Sequence, residues 1–485
     1  MKLPFPDESS TLSRLDRSPA NRAEARFNEG CERLAAGDEA GAEAAFRSAL
    51  AIDPDCAEAH GNLGFVLEAR GALEEAEACY RRSLALDPAL PDIQINLAML
   101  LAGRRRFAEA EAACREAIAL APEWPHVWTD TGILYACLKR EAEAEACYRK
   151  ALMLDAGNAG ARFNLSYLLL RQGRFAEGWQ CLEARNWYAG LAGRLNCPRW
   201  QGEALAGKAL LVCPEAGHGD LIQFCRYVSL LKARGAARIT LWCHPALKRL
   251  FATLDGVDAV VGFDEEVSGA HDFWVPALSL PYRFGTRLET IPANIPYLRA
   301  APDDVARWAA RPARHDSSAG SAPLRVGLIW KGNPRFENDA DRSLPGLHVL
   351  APLGEVAGVQ FVSLQKGAGE DEALAPPARL PLVHLGGQIE DFADTAAIVA
   401  GLDLVISVDT AVAHLAGALG KACWIMLPDY RTDWRWLTGR SDSPWYPDTV
   451  RLFRQTTAGD WAPVVAEIAA ALAAWAASAE RRAPS

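Results

Sequence analysis

No two of the twelve cysteines in this 485-residue chain stand as a CxxC pair, so the spacing of a zinc site is absent. The thiols are scattered, and Cys79, Cys114 and Cys147 fall where a helical repeat wants a small apolar residue. They read as reduced core residues of a cytosolic protein. A run of about 18 uncharged apolar residues is missing too, so nothing is expected to span a membrane. The apolar stretch at 462–476 is interrupted by Glu467 and reads as a packed terminal helix. The N-terminus, MKLPFPDESSTLSRLDRS, lacks an apolar core and is not a secretory signal. A cytoplasmic location follows as the expectation. Excess positive charge is also lacking. A formal net charge of -10 argues against a general nucleic-acid binder, while saying nothing about a basic phosphate pocket in one cleft. What is present, 50% hydrophobic and 23% charged residues, suits a globular chain, and its length implies two or three domains.

The first third repeats itself every 34 residues. Pro54, Pro88 and Pro122 keep that step, with Ala156 on the next. Gly30, Gly64, Ala98, Gly132 and Ser166 form a second series, and Ala42, Ala76, Ala110, Ala144 and Gly178 a third. Phe46, Tyr80, Cys114, Tyr148 and Leu182 form a fourth. This is the period of the tetratricopeptide repeat (TPR), an antiparallel helix pair. After a polar segment at 1–22, about five repeats are expected over 23–190, the last atypical. Small residues at Gly64 and Ala76 allow close helix approach, and Tyr80 is expected to fill the gap between neighbouring repeats. Pro88, after Asp87, stops a helix and turns the chain. Such an array is one solenoid. Its groove is expected to take a peptide or protein, the alternative being a role in oligomerisation or in buttressing the next domain.

From about 205 the pattern becomes strand–loop–helix–strand. Strands are expected at Ala209–Cys213, Arg238–Cys243 and Ala259–Phe263, with a helix over Leu221–Ala233. The segment at 311–323, RPARHDSSAGSAP, reads as an interlobe linker. A second series follows, with strands at Leu324–Trp330, Val359–Leu364, Leu382–His384, Leu404–Ser407 and Ala422–Leu427. Helices are expected at Ile389–Ala400 and Ala411–Leu419, and a last one at about Trp461–Ala477. The expected architecture is a TPR α-solenoid followed by two doubly wound α/β lobes, at 205–310 and 324–460, and a C-terminal helix and tail at 461–485. Ligands of such sheets bind at the carboxyl ends of the strands.

Two segments carry candidate chemistry. In SVDTAVAH a strand runs through Asp409 and Thr410 into a helix starting at Ala411. A free helix N-terminus favours an anion, and His414 lies near enough to donate to the same phosphate. The bland alternative is an ordinary cap and a core histidine. In Cys213-Pro-Glu-Ala-Gly-His-Gly-Asp220 a Gly-rich loop presents His218 and Asp220. Either is a candidate base, Asp220 first, and an N-cap role is the alternative for Asp220. Lys331, Asn333 and Arg342 follow the first strand of the second series, where the two cations could meet phosphates or be solvated surface charges. No DxD-like or His/Cys ligand cluster stands beside the Asp409–His414 segment, so no metal is expected.

SVDTAVAHLAGALGK resembles the nucleotide-sugar segment of glycosyltransferase family 9, the ADP-heptose:lipopolysaccharide heptosyltransferases. Ala411 and Ala422 stand where that pattern has Gly and Pro. The loop ending in Gly219-Asp220-Leu-Ile is similar to the family's first-strand loop. Gly327-Leu-Ile-Trp-Lys331-Gly-Asn333-Pro, Asn338–Ser343, the Asp429–Trp436 string and Ser443–Pro447 resemble TPR-fused relatives. The likeness covers roughly 205–477. It implies a GT-B-like pair of lobes and an inverting transfer without metal, with no cofactor other than a nucleoside-diphosphate-sugar donor that enters as substrate. It also implies Asp220 as general base, with Lys331, Asn333, Arg342, Asp409, Thr410, Ala411 and His414 around the donor. The acceptor would be a protein or a saccharide. The competing expectation is a non-catalytic scaffold that keeps the fold and recruits a partner through its repeats, an outcome the change at Ala411 favours.

Overall fold

The computed structural model describes residues 18–310 and 323–480. The expected linker at 311–323 falls almost wholly outside these residues, as does most of the N-terminal segment. Contacts divide the chain into two compact units, 1–165 and 166–485, so the division falls inside the helix Ala159–Arg171.

The first unit is a series of antiparallel helix pairs. They begin with Pro19–Ala35 and Glu39–Ile52, followed by Ala57–Ala69 and Leu73–Leu86. Pro91–Gly103 and Phe107–Leu120 come next, then Pro125–Cys137 and Glu141–Leu154. The glycine and aromatic series meet in space. A Cβ on Gly64 would lie 2.8 Å from the Tyr80 ring, and one on Gly132 would lie 2.6 Å from Tyr148. The aromatic ring therefore sits on the glycine of its own repeat, instead of bridging only to the next one. Tyr80 is fully buried and its hydroxyl donates to Glu68 at 2.8 Å, also within the repeat. Pro91 and Pro125 occupy first-turn positions, where a missing N–H costs nothing. Cys79, Cys114 and Cys147 are buried, and among the described residues no disulfide forms. Burial pushes the Cys114 thiol up to about 12, as expected for core filler.

The second unit holds two parallel sheets. In the first the order is β3-β2-β1-β4, with β1 Ala209–Cys213, β2 Arg238–Cys243, β3 Ala259–Gly262 and β4 Phe273–Pro276. The second has the order β10-β9-β8-β5-β6-β7. It comprises β5 Leu324–Ile329, β6 Val359–Ser363, β7 Leu382–His384, β8 Leu404–Val408, β9 Cys423–Leu427 and β10 Val450–Arg454. Every neighbouring pair runs parallel. Numbered within the sheet, the strands read 3-2-1-4-5-6 from β7 to β10, so the order reverses between β5 and β8. Crevices open at such reversals, beyond the carboxyl ends of the strands.

Several elements differ from the sequence reading. The helix expected over Leu221–Ala233 is three pieces, His218–Phe224, a 3₁₀ turn at Cys225–Tyr227 and Val228–Ala233. β4 and β10 were not anticipated. The helix after β7 starts at Phe392, with Asp391 as its N-cap accepting from Ala393 and Asp394. The terminal helix runs from Ala462 to Glu480.

The helix Phe175–Leu182, expected as the second helix of an atypical fifth repeat, belongs to the second unit. Phe175 and Trp179 lie at 5.2 Å centroid distance. Trp179 meets Trp434 edge-on at 5.3 Å, and Phe175 meets Trp445 at 5.9 Å. The buried Trp179 indole donates to the Thr286 carbonyl at 3.0 Å. This cluster ties the helix to loops of both sheets. Below it, Arg185 forms a two-pronged pair with Glu215 at 2.7 and 2.8 Å, both side chains fully excluded from solvent.

Replacing Trp179 by Ala removes a buried ring and orphans the Thr286 carbonyl. Trp179→Ala is expected to destabilise the second unit by roughly 3–5 kcal/mol in denaturant unfolding. A loss below about 1 kcal/mol would show that the helix is an accessory.

Candidate functional site

β1 ends at Cys213 and β8 at Val408, and each is followed by a helix whose N-terminus approaches the other's. The helices are His218–Phe224 and Ala411–Ala418. A Cβ on Gly219 would lie 2.9 Å from the His414 ring and 3.3 Å from the Ala411 Cα, so glycine is what the close approach requires. Gly217, and not Asp220, is the N-cap of the first helix. Asp220 stands at its third position and accepts from the Gly217 N–H at 2.7 Å through one oxygen. This satisfies an otherwise free backbone donor. Its other oxygen meets the Arg435 guanidinium.

Arg435 ties the first of these helices to the turn after β9. Its side chain is almost fully buried, donates to Gln223 at 2.6 Å and grips Asp433 twice at 3.0 Å. It also packs over the Trp434 ring at 4.4 Å. Burial works against its charge, but Asp220 and Asp433 outweigh that and hold the guanidinium more firmly protonated than usual. The sequence reading took the Asp429–Trp436 string as a whole and gave Asp433 and Arg435 no role. A charged pair set among tryptophans, Asp433-Trp434-Arg435-Trp436, was the available signal.

Asp409 completes the acidic side. Burial and the neighbouring Asp433 carboxylate push its carboxyl up to about 6, against the pull of Arg342 and Arg435. Thr410 is the N-cap of Ala411–Ala418, but its hydroxyl bonds the Ser407 hydroxyl at 3.0 Å and does not cap. The first-turn N–H groups of that helix therefore lack a side-chain acceptor. His414 is buried, and its ring stacks on Trp436 at 5.1 Å and 18°. Its Nδ1 bonds the Tyr446 hydroxyl at 2.9 Å. Burial, with Arg435 and Arg226 nearby, holds the imidazole well below its usual range, so it is neutral.

The remaining candidates lie at the same strand ends. Lys331 lies two residues after β5 and pairs with Glu372 at 2.7 Å. Arg342 ends the turn of helix Asp339–Arg342, bonds Asp339 at 3.0 Å and covers the Phe336 ring at 4.4 Å. Asn333 is exposed and closes a local turn by accepting from the Arg335 N–H at 3.0 Å. His218 packs edge-on against His244 at 4.6 Å, and burial together with that second ring lowers its proton affinity. Asp220, Asp409 and His414 are thus brought together with Arg435 and, electrostatically, Arg342. Among the described residues no hydrogen bond or ion pair joins Lys331, Asn333 or His218 to that group. Among the described residues no set of three or more His, Cys, Asp or Glu side chains is placed to hold a metal ion. The apolar concavity lined by Pro345, Val349, Pro352, Trp461 and Val465 contains none of these groups.

The repeat models fall in the first unit, whereas the match to a curated relative is longer than that unit and reaches into the second. Models of the tetratricopeptide repeat match 27–91, 92–121 and 125–158. Residues 27–158 are tetratricopeptide repeats. Protein FlbA of Caulobacter vibrioides is 28% identical over 343 residues, covering 65% of this chain and 55% of that protein. The chain thus spans about half the length of this curated relative. Among solved structures, Pseudomonas aeruginosa pilF is 26% identical with a TM-score of 0.32, covering 34% of this chain and 76% of its own. A thermophilic TPR protein of Thermus thermophilus is 22% identical with a TM-score of 0.32, covering 36% and 96%. No helix among the described residues is long and apolar enough to cross a membrane.

The raised Asp409 carboxyl has a consequence for stability. The folded chain holds that proton more tightly than the unfolded chain does. The contribution is therefore fully present below about pH 4 and lost as pH rises through about 6. Asp409→Asn removes the titration, so its stability relative to wild type should improve between pH 4 and 7 by up to about 3 kcal/mol. Denaturant unfolding at both pH values measures this, and an unchanged pH dependence would place Asp409 in a better-solvated setting.

Proposed function

We propose that the chain is a glycosyltransferase. It moves a sugar from a nucleoside-diphosphate sugar to a protein or saccharide acceptor, with inversion and without a metal ion, and its repeats bind the acceptor or a partner. In this reading the two sheets form a GT-B-like pair with the donor at the second. One observation carries the reading. Asp220, at the end of one sheet, meets Arg435 beside Asp409 and the uncapped start of helix Ala411–Ala418, where the strand order of the other sheet reverses. A strand-order reversal and a free helix N-terminus suit a nucleoside diphosphate.

The chemistry follows from these placements. Asp220 would take the proton of the acceptor hydroxyl as its oxygen bonds to the anomeric carbon. The bond from that carbon to the diphosphate breaks, and the electron pair leaves on the phosphate oxygen. The Ala411–Ala418 N–H groups and the Arg342 guanidinium would meet that charge, with Lys331 on the phosphate side. Thr410 and Ala411 would line the approach to the diphosphate and Asn333 the sugar. His218 is the second candidate for base. His414, neutral and bonded to Tyr446, would contribute an uncharged contact.

A non-catalytic scaffold is the second reading. One observation favours it, since Lys331, Arg342 and Arg435 each already hold a carboxylate. Calorimetry with nucleoside diphosphates separates the two readings. Binding of equal strength in chelator and in magnesium is expected, and absence of binding would leave the scaffold. For the nucleotide sugar that binds, Asp220→Asn should lower turnover by roughly 100- to 10,000-fold while leaving nucleotide affinity nearly unchanged. Full turnover in Asp220→Asn would move the base elsewhere, His218 first.

A further inference from the structure

The charges of the repeat unit are distributed unevenly. Residues 18–165 carry 24 Asp and Glu against 16 Lys and Arg. The first helices of the central repeats, Ala57–Ala69, Pro91–Gly103 and Pro125–Cys137, contain no Lys or Arg at all. In these central repeats the cations sit on the second helices and turns, and several are paired with a neighbouring repeat. Arg47 pairs with Glu75 at 2.7 Å, Arg81 with Glu109 at 3.0 Å and Arg140 with Glu111 at 2.9 Å.

The first helices pack against one another from repeat to repeat, so they form one continuous face. Glu58 and Asp92 are exposed along it and Asp130 is partly buried, and Asp92 is met by His126 at 2.9 Å. Burial raises the Asp130 carboxyl, a cost that a cation brought to it would offset. Beside the acids runs an apolar row with the 34-residue step, Phe65, Met99 and Ile133. Phe65 is 47% exposed, high for a ring with a solenoid core beneath it.

We propose that this face binds an extended polypeptide segment in which Lys or Arg alternates with apolar side chains. The charge complementarity selects the occupant. An acidic face without cations repels phosphate-bearing surfaces and attracts basic ones. Side chains of an extended chain alternate in direction, so cations can lie on the acidic row while apolar groups cover Phe65, Met99 and Ile133. This rests on the reading that the repeats bind an acceptor or partner, and it names that partner's chemistry.

The test uses the full chain against an immobilised positional-scanning library of short synthetic peptides. Selection of Lys or Arg alternating with apolar residues is expected. The strongest peptide is then followed by fluorescence anisotropy. Asp92→Asn with Asp130→Asn should weaken it at least about tenfold, as should Phe65→Ser. Glu116→Gln with Glu123→Gln, equally acidic but off this face, should stay within about twofold. Circular dichroism checks that each variant folds. Selection of acidic or uncharged peptides, or equal weakening by both acid-removing pairs, overturns the proposal alone. Retention of no peptide overturns it together with the partner-binding reading. A wild-type dimer in light scattering that Phe65→Ser converts to monomer assigns the face to a second copy of the chain, and also overturns it.

Discussion

The buried guanidinium of Arg435 is the constraint on which the second unit turns. It takes Asp220 and Gln223 from the helix after β1 and Asp433 from its own turn. A charge so enclosed is tolerable only because its N–H groups meet carboxylates and a carboxamide, and removing one partner of such a set typically costs about 3–5 kcal/mol. The same contacts fix the loop after β9 against the helix after β1. Arg226 works alongside, donating to the Trp445 carbonyl at 2.7 Å and to the Tyr297 hydroxyl at 2.9 Å. Both arginines thus hold the carboxyl ends of the strands in one fixed arrangement.

Within that arrangement the acidic groups have different settings. Asp220 keeps a cation and a backbone N–H, whereas Asp409 has burial and a second carboxylate against it.

Much of the fold was legible in the sequence because it is written in local periodicity. The Gly30–Gly64–Gly132 and Phe46–Tyr80–Tyr148 series mark helix pairs whose rings pack on the glycines. Buried strands such as Val326–Ile329 and Leu404–Val408 read as apolar runs. β4 was missed because Phe273–Pro276 is four residues long and ends in proline. β10 was missed because Val450–Arg454 carries arginines at the sheet edge. At the site, Asp220, Asp409 and His414 were recognisable from their loops. Arg435 was not, because its meaning lies in a partner 215 residues away. Nor did the sequence disclose that His414 would bond Tyr446, a contact across 32 residues.

The central claim is that the ends of β5 and β8, with the helix start at Ala411, form a nucleotide site. Hydrogen exchange followed by mass spectrometry, with and without a nucleoside diphosphate, tests it most directly, because it reports location without needing the acceptor. Slowed exchange concentrated at 331–343 and 409–418 is the expected result. Unchanged exchange in both segments, or slowing confined to the tetratricopeptide helices, would contradict it.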